Sequence, residues 1–407
     1  MFKFKSHTPT TSTIARLLKD PRIEFAFQKL ERLSEELMCE HITVCQIPAP
    51  TFYESQRARY FYQRFSELGL LDSKIDLAGN VTACWPNPAS NYVCLSAHLD
   101  TVFPDTTNCE VKKTGNRYFA PGISDNAAGL VGLLAIAKIL VEVNLVPQIP
   151  FLFVATVGEE GIGDLKGVKY LFQKSEYKDS IKYFISFDGP GIERITHRAL
   201  GSKRYKITFN GSGGHSWGDF GIVNPIHALG RAISKMANYQ VPQHPASSYN
   251  IGIIEGGSSI NSIAEQAYMQ VDLRSVSASE LSKLENHLLL SVKQALIEEN
   301  LASKYSDSQL ELQIEVIGER PSGELPTTSY LLQTAITTTS AFGVNPYLDC
   351  SSTDANIPIS LGLEAITLGA GGSCGGCHTL SEWYEEKDRA KSLKRTLLLL
   401  LALAGLN

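Results

Sequence analysis

The sequence predicts an α/β protein, a mixed sheet flanked by helices, interrupted by an inserted α+β domain. Three observations carry this. Apolar runs of strand length at residues 92–97, 150–157, 182–187 and 364–368 alternate with helical stretches. The first three end in histidine or acid, at His98, Glu159-Glu160 and Asp188, and ligand crevices of open α/β sheets lie outside the carboxyl ends of the strands. Between residues 199 and 319 the pattern changes to strand, helix, strand, strand, helix, strand, the order of a ferredoxin-like unit. A chain of 407 residues exceeds the ~50 to 250 residues of one domain, so residues 1–198 and 320–407 are expected to form one domain around an insert at 199–319.

Composition narrows the partners. Hydrophobic residues make up 43% and charged residues 19%, with a net charge of -5, which gives no basic surface for nucleic acid. The longest apolar run, residues 397–404, falls well short of the ~20 residues of a spanning helix; it reads as a C-terminal core helix, with no membrane partner expected. Residues 1–20 contain basic residues but no apolar leader core or small-residue cleavage site, so the expected location is cytoplasmic. There the 8 cysteines are expected to be reduced. Cys374-Gly-Gly-Cys377-His378 matches a haem-attachment pattern, but that chemistry belongs to exported proteins, and no haem is expected.

Taken in order, residues 22–39 have helical apolar spacing, which Pro48 and Pro50 must end. A second amphipathic helix opens at Glu54 and closes at Gly69. An extended piece at 74–86 leads to the run around which the chain is organised, Ser96-Ala97-His98-Leu99-Asp100-Thr101-Val102. Alternate strand residues share a face, so His98 and Asp100 can address one site, the imidazole on a metal and the carboxylate fixing the ring; a solvated loop is the plainer reading. Ser124 and Asp125 stand before a helix running to about residue 143, where an acid serves as an N-cap. Glu159 and Glu160 place two like charges side by side at the end of a buried run, which is costly unless a cation compensates or the turn is solvated.

The insert reads as strand 204–209, helix 225–238, strands 248–255 and 266–273, helix 279–299 and strand 310–317, and it holds His215, Asn261 and Arg274. After 318–323 returns the chain, a helix at 328–342 precedes Ser352-Thr353-Asp354-Ala355-Asn356 and a Gly-rich loop at 369–378. That loop lacks the Gly-Lys-Ser/Thr ending of a phosphate loop. Its glycines suit close backbone approach to a bound group.

Collected, the candidate metal ligands are His98, Asp125, Glu160, Asp188 and His378, with Asp100 and Glu159 left over. Oxygen and imidazole donors suit zinc, with cobalt or manganese as alternatives. Three carboxylates and a bridging hydroxide carry four negative charges, which two divalent ions neutralise and one does not. If Asp125 bridges, each ion has three protein contacts and a shared water open to chemistry.

Leu95-Ser-Ala-His98-Leu-Asp100-Thr-Val102, Gly122-Ile-Ser-Asp125-Asn126, Gly158-Glu-Glu-Gly161, Phe187-Asp188-Gly189, Gly214-His215-Ser216 and Cys377-His378-Thr379, in this order, resemble the di-zinc metallopeptidase family that contains tripeptide aminopeptidase (peptidase T), carboxypeptidase G and acetylornithine deacetylase. Gly213-Gly-His215-Ser-Trp217-Gly218 and Ser352-Thr-Asp354-Ala-Asn356 resemble the peptidase T-like branch most. The resemblance implies a zinc-exopeptidase-type catalytic domain with a lid and dimerisation insert. It also implies two Zn2+ ions per chain: His98 and Asp188 on one, Glu160 and His378 on the other, and Asp125 bridging. Asp100 would orient, Glu159 would be the general base, and His215, Asn261 and Arg274 would contact substrate. The implied activity is an exopeptidase on short peptides, acting as a homodimer. Carboxypeptidase, dipeptidase or N-acyl-amino-acid amidohydrolase activity on the same site is the alternative, and a binding protein that kept the fold is a third, against which the intact Glu159 argues. Cys374 and Cys377 beside His378 depart from the family pattern.

Overall fold

A computed structural model describes residues 9–407 of the chain; residues 1–8, part of the basic N-terminal stretch discussed above, lie outside the described residues. The chain forms two compact units, one from the segment up to Ala199 together with Glu324–Asn407, the other from Leu200–Gly323.

In the first unit the sheet runs Leu71–Ile75, Val81–Trp85, Phe151–Thr156, Tyr92–His98, Ile181–Phe187, Glu364–Leu368 and Arg194–Ala199, with Tyr347–Ser351 beside the last. Tyr92–His98 is parallel to both of its neighbours, and Ile181–Phe187 is parallel to Glu364–Leu368. Four carboxyl ends therefore open on one edge. Tyr92–His98 is buried along its whole length because helices cover both faces, which is why parallel strands read as unbroken apolar runs. Val93, Leu95 and Ala97 pack in the core that contains Ala127–Glu142 and Arg389–Ala404, while Tyr92 and Cys94 pack in the core containing Lys166–Gln173. The apolar run at 397–404 is the buried end of the last helix. Among the described residues no helix is long and apolar enough to cross a membrane.

Two local expectations need correction. The helix expected at 22–39 is two helices, Pro21–Arg32 and Ser34–Cys45, separated at Leu33. The second runs on because Leu37, Met38, His41, Val44 and Cys45 give it a buried stripe of its own. At the start of Ala127–Glu142 the capping side chain is Asn126, which accepts from Gly129 N, rather than Ser124 or Asp125. The Asp125 carboxylate is thereby released from the capping role.

His41 is a buried neutral histidine: Arg389 donates to Nδ1 at 2.8 Å, and Nε2–H donates to the Ile123 carbonyl at 2.5 Å. Burial, then the Arg389 charge, push its pKa down to about 3 from an ordinary 6.5. Its contribution to stability is therefore complete above pH 6.5 and is lost as pH falls toward 3. By linkage the loss is about 2 kcal/mol at pH 5. Urea denaturation at pH 7.5 and 5 should show this acid slope, and His41→Gln should flatten it by that amount; an unchanged slope would assign acid sensitivity to other groups.

The second unit is a four-stranded antiparallel sheet in the order Ser247–Gly256, Gln266–Ser275, Gly201–Asn210, Glu311–Arg320. That is the strand order of a ferredoxin-like fold. Helices Pro225–Ala237 and Ala278–Ala302 cover one face, against Ala267, Met269, Val271 and Leu273. Alternate residues Tyr268, Gln270, Asp272 and Arg274 lie on the other face, the alternation of a sheet packed on one side.

Candidate metal centre

The open edge of the parallel strands gathers the polar groups. His98 is the last residue of its strand and is only 1% exposed. Glu159 and Glu160 follow Phe151–Thr156 after Gly158, whose φ of 62° suits a residue without Cβ. Asp188 follows Ile181–Phe187, His378 comes from the loop after Glu364–Leu368, and Asp125 from the turn before Ala127–Glu142.

Asp125 stands between the two imidazoles. Its Oδ1 is 3.0 Å from His98 Nε2 and its Oδ2 is 3.1 Å from His378 Nε2. His98 Nε2 is also 4.0 Å from Asp188 Oδ1, and His378 Nε2 is 3.2 Å from Glu160 Oε1. Donor atoms of His98, Asp125 and Asp188 lie within 4.8 Å of one another, as do those of Asp125, Glu160 and His378, and those of His98, Glu159 and Glu160. Neither Cys374 nor Cys377 belongs to any of these groups.

Asp100, fully buried, ties the strand ends together. Its Oδ1 lies 3.5 Å from His98 Nδ1 and accepts from Glu159 N at 2.9 Å. Its Oδ2 accepts from Glu160 N at 2.9 Å and from Thr51 Oγ1 at 3.0 Å. His98 Nδ1 also sits 3.1 Å from the Asp100 carbonyl; a proton on Nδ1 directs the Nε2 lone pair into the carboxylates.

The electrostatics test whether these residues suit divalent cations. Burial, then the Asp125 charge, push the Asp188 carboxyl up to about 7. Burial alone would lower the His98 pKa, yet the carboxylates of Asp100 and Asp125 hold it well above the ordinary value. Hydrogen bonds to Asp125 and Glu160 push His378 up to about 11. Carboxylates that force protons onto their neighbours mark a site short of positive charge, and imidazole with carboxylate is a donor set for zinc-like ions. The residues fit a pair of divalent cations.

Other residues hold the site through contacts between segments distant in the chain. Glu382, completely buried, accepts from Gly122 N at 3.0 Å, Ser124 N at 2.7 Å, Asp125 N at 3.0 Å and Ser124 Oγ at 2.5 Å, fixing the turn that presents Asp125. Glu54 accepts from Gly158 N at 3.0 Å, ahead of the Glu159-Glu160 pair. Arg57 donates to the Leu99 carbonyl at 2.6 Å, and Thr156 Oγ1 donates to Asp354 Oδ2 at 2.6 Å. The only sequence signal for Glu382 is an acid just before Trp383-Tyr384.

The three remaining expected residues belong to the second unit. His215 Nδ1 accepts from Trp217 N and Gly218 N at 3.2 Å each, and the side chain is exposed. Asn261 accepts from Ser259 Oγ at 2.6 Å, and its carbonyl from Ser216 N at 3.0 Å. The pairing of Gly214–His215 with Ser262–Ile263 brings His215 and Asn261 together. Arg274, held by Asp272 at 2.6 Å, lies near the far end of Gln266–Ser275, about 26 Å along the strand from its start, and is not joined to them.

An α/β sheet whose strand ends gather two imidazoles and these carboxylates is an arrangement suited to a metal-dependent hydrolase. The chain belongs to peptidase family M20/M25/M40, whose profile matches residues 94–402, and is thus a hydrolase of peptide or amide bonds. It is 26% identical over 265 residues to the uncharacterized protein YqjE of Bacillus subtilis (strain 168), spanning 60% of this chain and 67% of that protein. It is 26% identical over 223 residues to an acetylornithine deacetylase of Buchnera aphidicola, spanning 51% of this chain and 56% of that one. Among solved structures it is similar to aminopeptidase PepT from Bacillus cereus, with a TM-score of 0.72 and 20% identity over 91% of this chain and 98% of PepT.

Proposed function

We propose that the protein is a cytoplasmic, two-zinc exopeptidase that hydrolyses short peptides in the manner of a tripeptide aminopeptidase. The observation that carries this reading is Asp125, which offers one carboxylate oxygen to each of two donor groups, His98 with Asp188 and Glu160 with His378. When bound there, divalent ions acidify a water and polarise the scissile carbonyl. His98 and Asp188 would hold one ion, Glu160 and His378 the other, with Asp125 shared between them. Asp100 orients the His98 ring through Nδ1. Glu159, beside His98 and Glu160, takes the water's proton and returns it to the leaving nitrogen. Motif likeness to the peptidase T branch at residues 213–218 and 352–356 supports the tripeptide preference.

His215, with its Nδ1 occupied by backbone amides, keeps an Nε2–H for a developing oxyanion. Asn261 lies beside His215 and contacts substrate with it in this reading, and Arg274, apart from both, would meet the substrate from a different copy of the dimer. The edge strand Ser247–Gly256, with Ile253 and Ile254 exposed, supports the second unit as the dimerisation element, since an unpaired edge invites pairing with a second copy.

One preparation tests the reading. It should carry about two zinc ions per chain, lose activity to a chelator and regain it with zinc. Tripeptides with a free amino group should turn over faster than dipeptides or N-acyl amino acids. Sedimentation should give twice the chain mass of 44.6 kDa. Preference for N-acyl amino acids would make it a deacylase, and a metal-replete protein that turns over none of these would be a binding protein.

A further inference from the structure

Cys374 and Cys377 take no part in the mechanism above, yet their sulfurs are 3.4 Å apart and partly open to solvent. Cys374 is anchored: it lies in Ser373–Gly375, opposite Tyr384 of Trp383–Glu385. Cys377 is the free end, exposed, with Sγ 3.5 Å from Ser124 Oγ. The two residues between them are fixed by packing. A Cβ on Gly375 would meet Trp383 Nε1 at 2.5 Å, and Gly376 has a φ of 68°. His378 comes next, at a φ of 63° that is uncommon outside glycine.

We propose that Cys374 and Cys377 form a reversible oxidation site for low-molecular-weight disulfides, and that closing it displaces His378. The thiolate of exposed Cys377 attacks the external disulfide, forming a mixed disulfide and releasing one external thiol. Cys374 then attacks the Cys377 sulfur and releases the second. The two protein thiols are oxidised, one external disulfide is reduced to two thiols, and the two protons leave with them. A protein disulfide needs sulfurs about 2.05 Å apart, so they must approach by more than an ångström. With Cys374 pinned in its strand, the movement falls on Cys377 and on His378, whose Nε2 sits 3.1 and 3.2 Å from Asp125 and Glu160. The effect on turnover rests on the function proposed above; the chemistry at the sulfurs does not.

The test incubates the zinc-loaded full chain with glutathione disulfide. The intact mass should fall by two hydrogens, and a peptide map should link Cys374 to Cys377. Cys374→Ser should instead stop at a glutathione adduct on Cys377. Activity, and retention of zinc against a chelator, should each fall about tenfold or more and recover with dithiothreitol. Cys374→Ser/Cys377→Ser should keep basal activity and ignore the oxidant, and Cys39→Ser should behave as wild type. Adducts elsewhere with no 374–377 link would overturn the site. A linked pair with unchanged zinc retention would overturn the displacement of His378. Should no peptide be hydrolysed at all, the mass and zinc measurements still decide this proposal while the proposed function falls.

Discussion

Glu159→Gln should keep both metal ions and lose turnover by about 10²–10⁴-fold, whereas Glu160→Gln should lose metal. The adjacent carboxylates share an anchor, since Asp100 accepts the backbone N–H of both, but differ in surroundings. Glu160 Oε1 is 3.2 Å from His378 Nε2 and belongs to the donor group that includes Asp125. Among the described residues, the donor group that contains Glu159 is the one with His98 and Glu160. Glutamine at 159 preserves shape and removes the capacity to accept the water's proton, so kcat should fall with little change in KM or zinc content. Elemental analysis of both variants checks the split; equal loss of metal from the two would abolish it.

Asp125→Ala should reduce bound metal below about one ion per chain and turnover by at least about 10³-fold, the equivalent of several kcal/mol. The Asp125 carboxylate reaches both His98 and His378 at hydrogen-bond distance, one oxygen to each. The cap of the following helix is Asn126, so the variant should fold, and circular dichroism should be unchanged. A capping role for Asp125 would instead cost about 1 kcal/mol of stability and leave metal and turnover intact.

Position along the sheet edge was legible because it is local. Burial on both faces makes a parallel strand continuously apolar, so its end is visible in the sequence, and His98, Glu159-Glu160 and Asp188 are the polar residues at three such ends. Asp125 was ambiguous because caps and ligands draw on the same residue types. The ambiguity is decided by which side chain, Asn126 or Asp125, turns back onto the helix amides.

The sequence by itself determined the α/β class, the main buried strands and the residues available at their ends, since period and burial are written in neighbouring residues. Only the tertiary structure decided that Glu382 clamps the Asp125 turn from 257 residues away, that Asp100 holds Glu159 and Glu160 together, that Arg274 stands apart from His215, and that the Cys374 and Cys377 sulfurs face each other. Each is a hydrogen bond or close approach between segments that become neighbours only once the strands have been ordered. A buried carboxylate takes its partners from whatever loops that ordering brings beside it, and no local pattern records them.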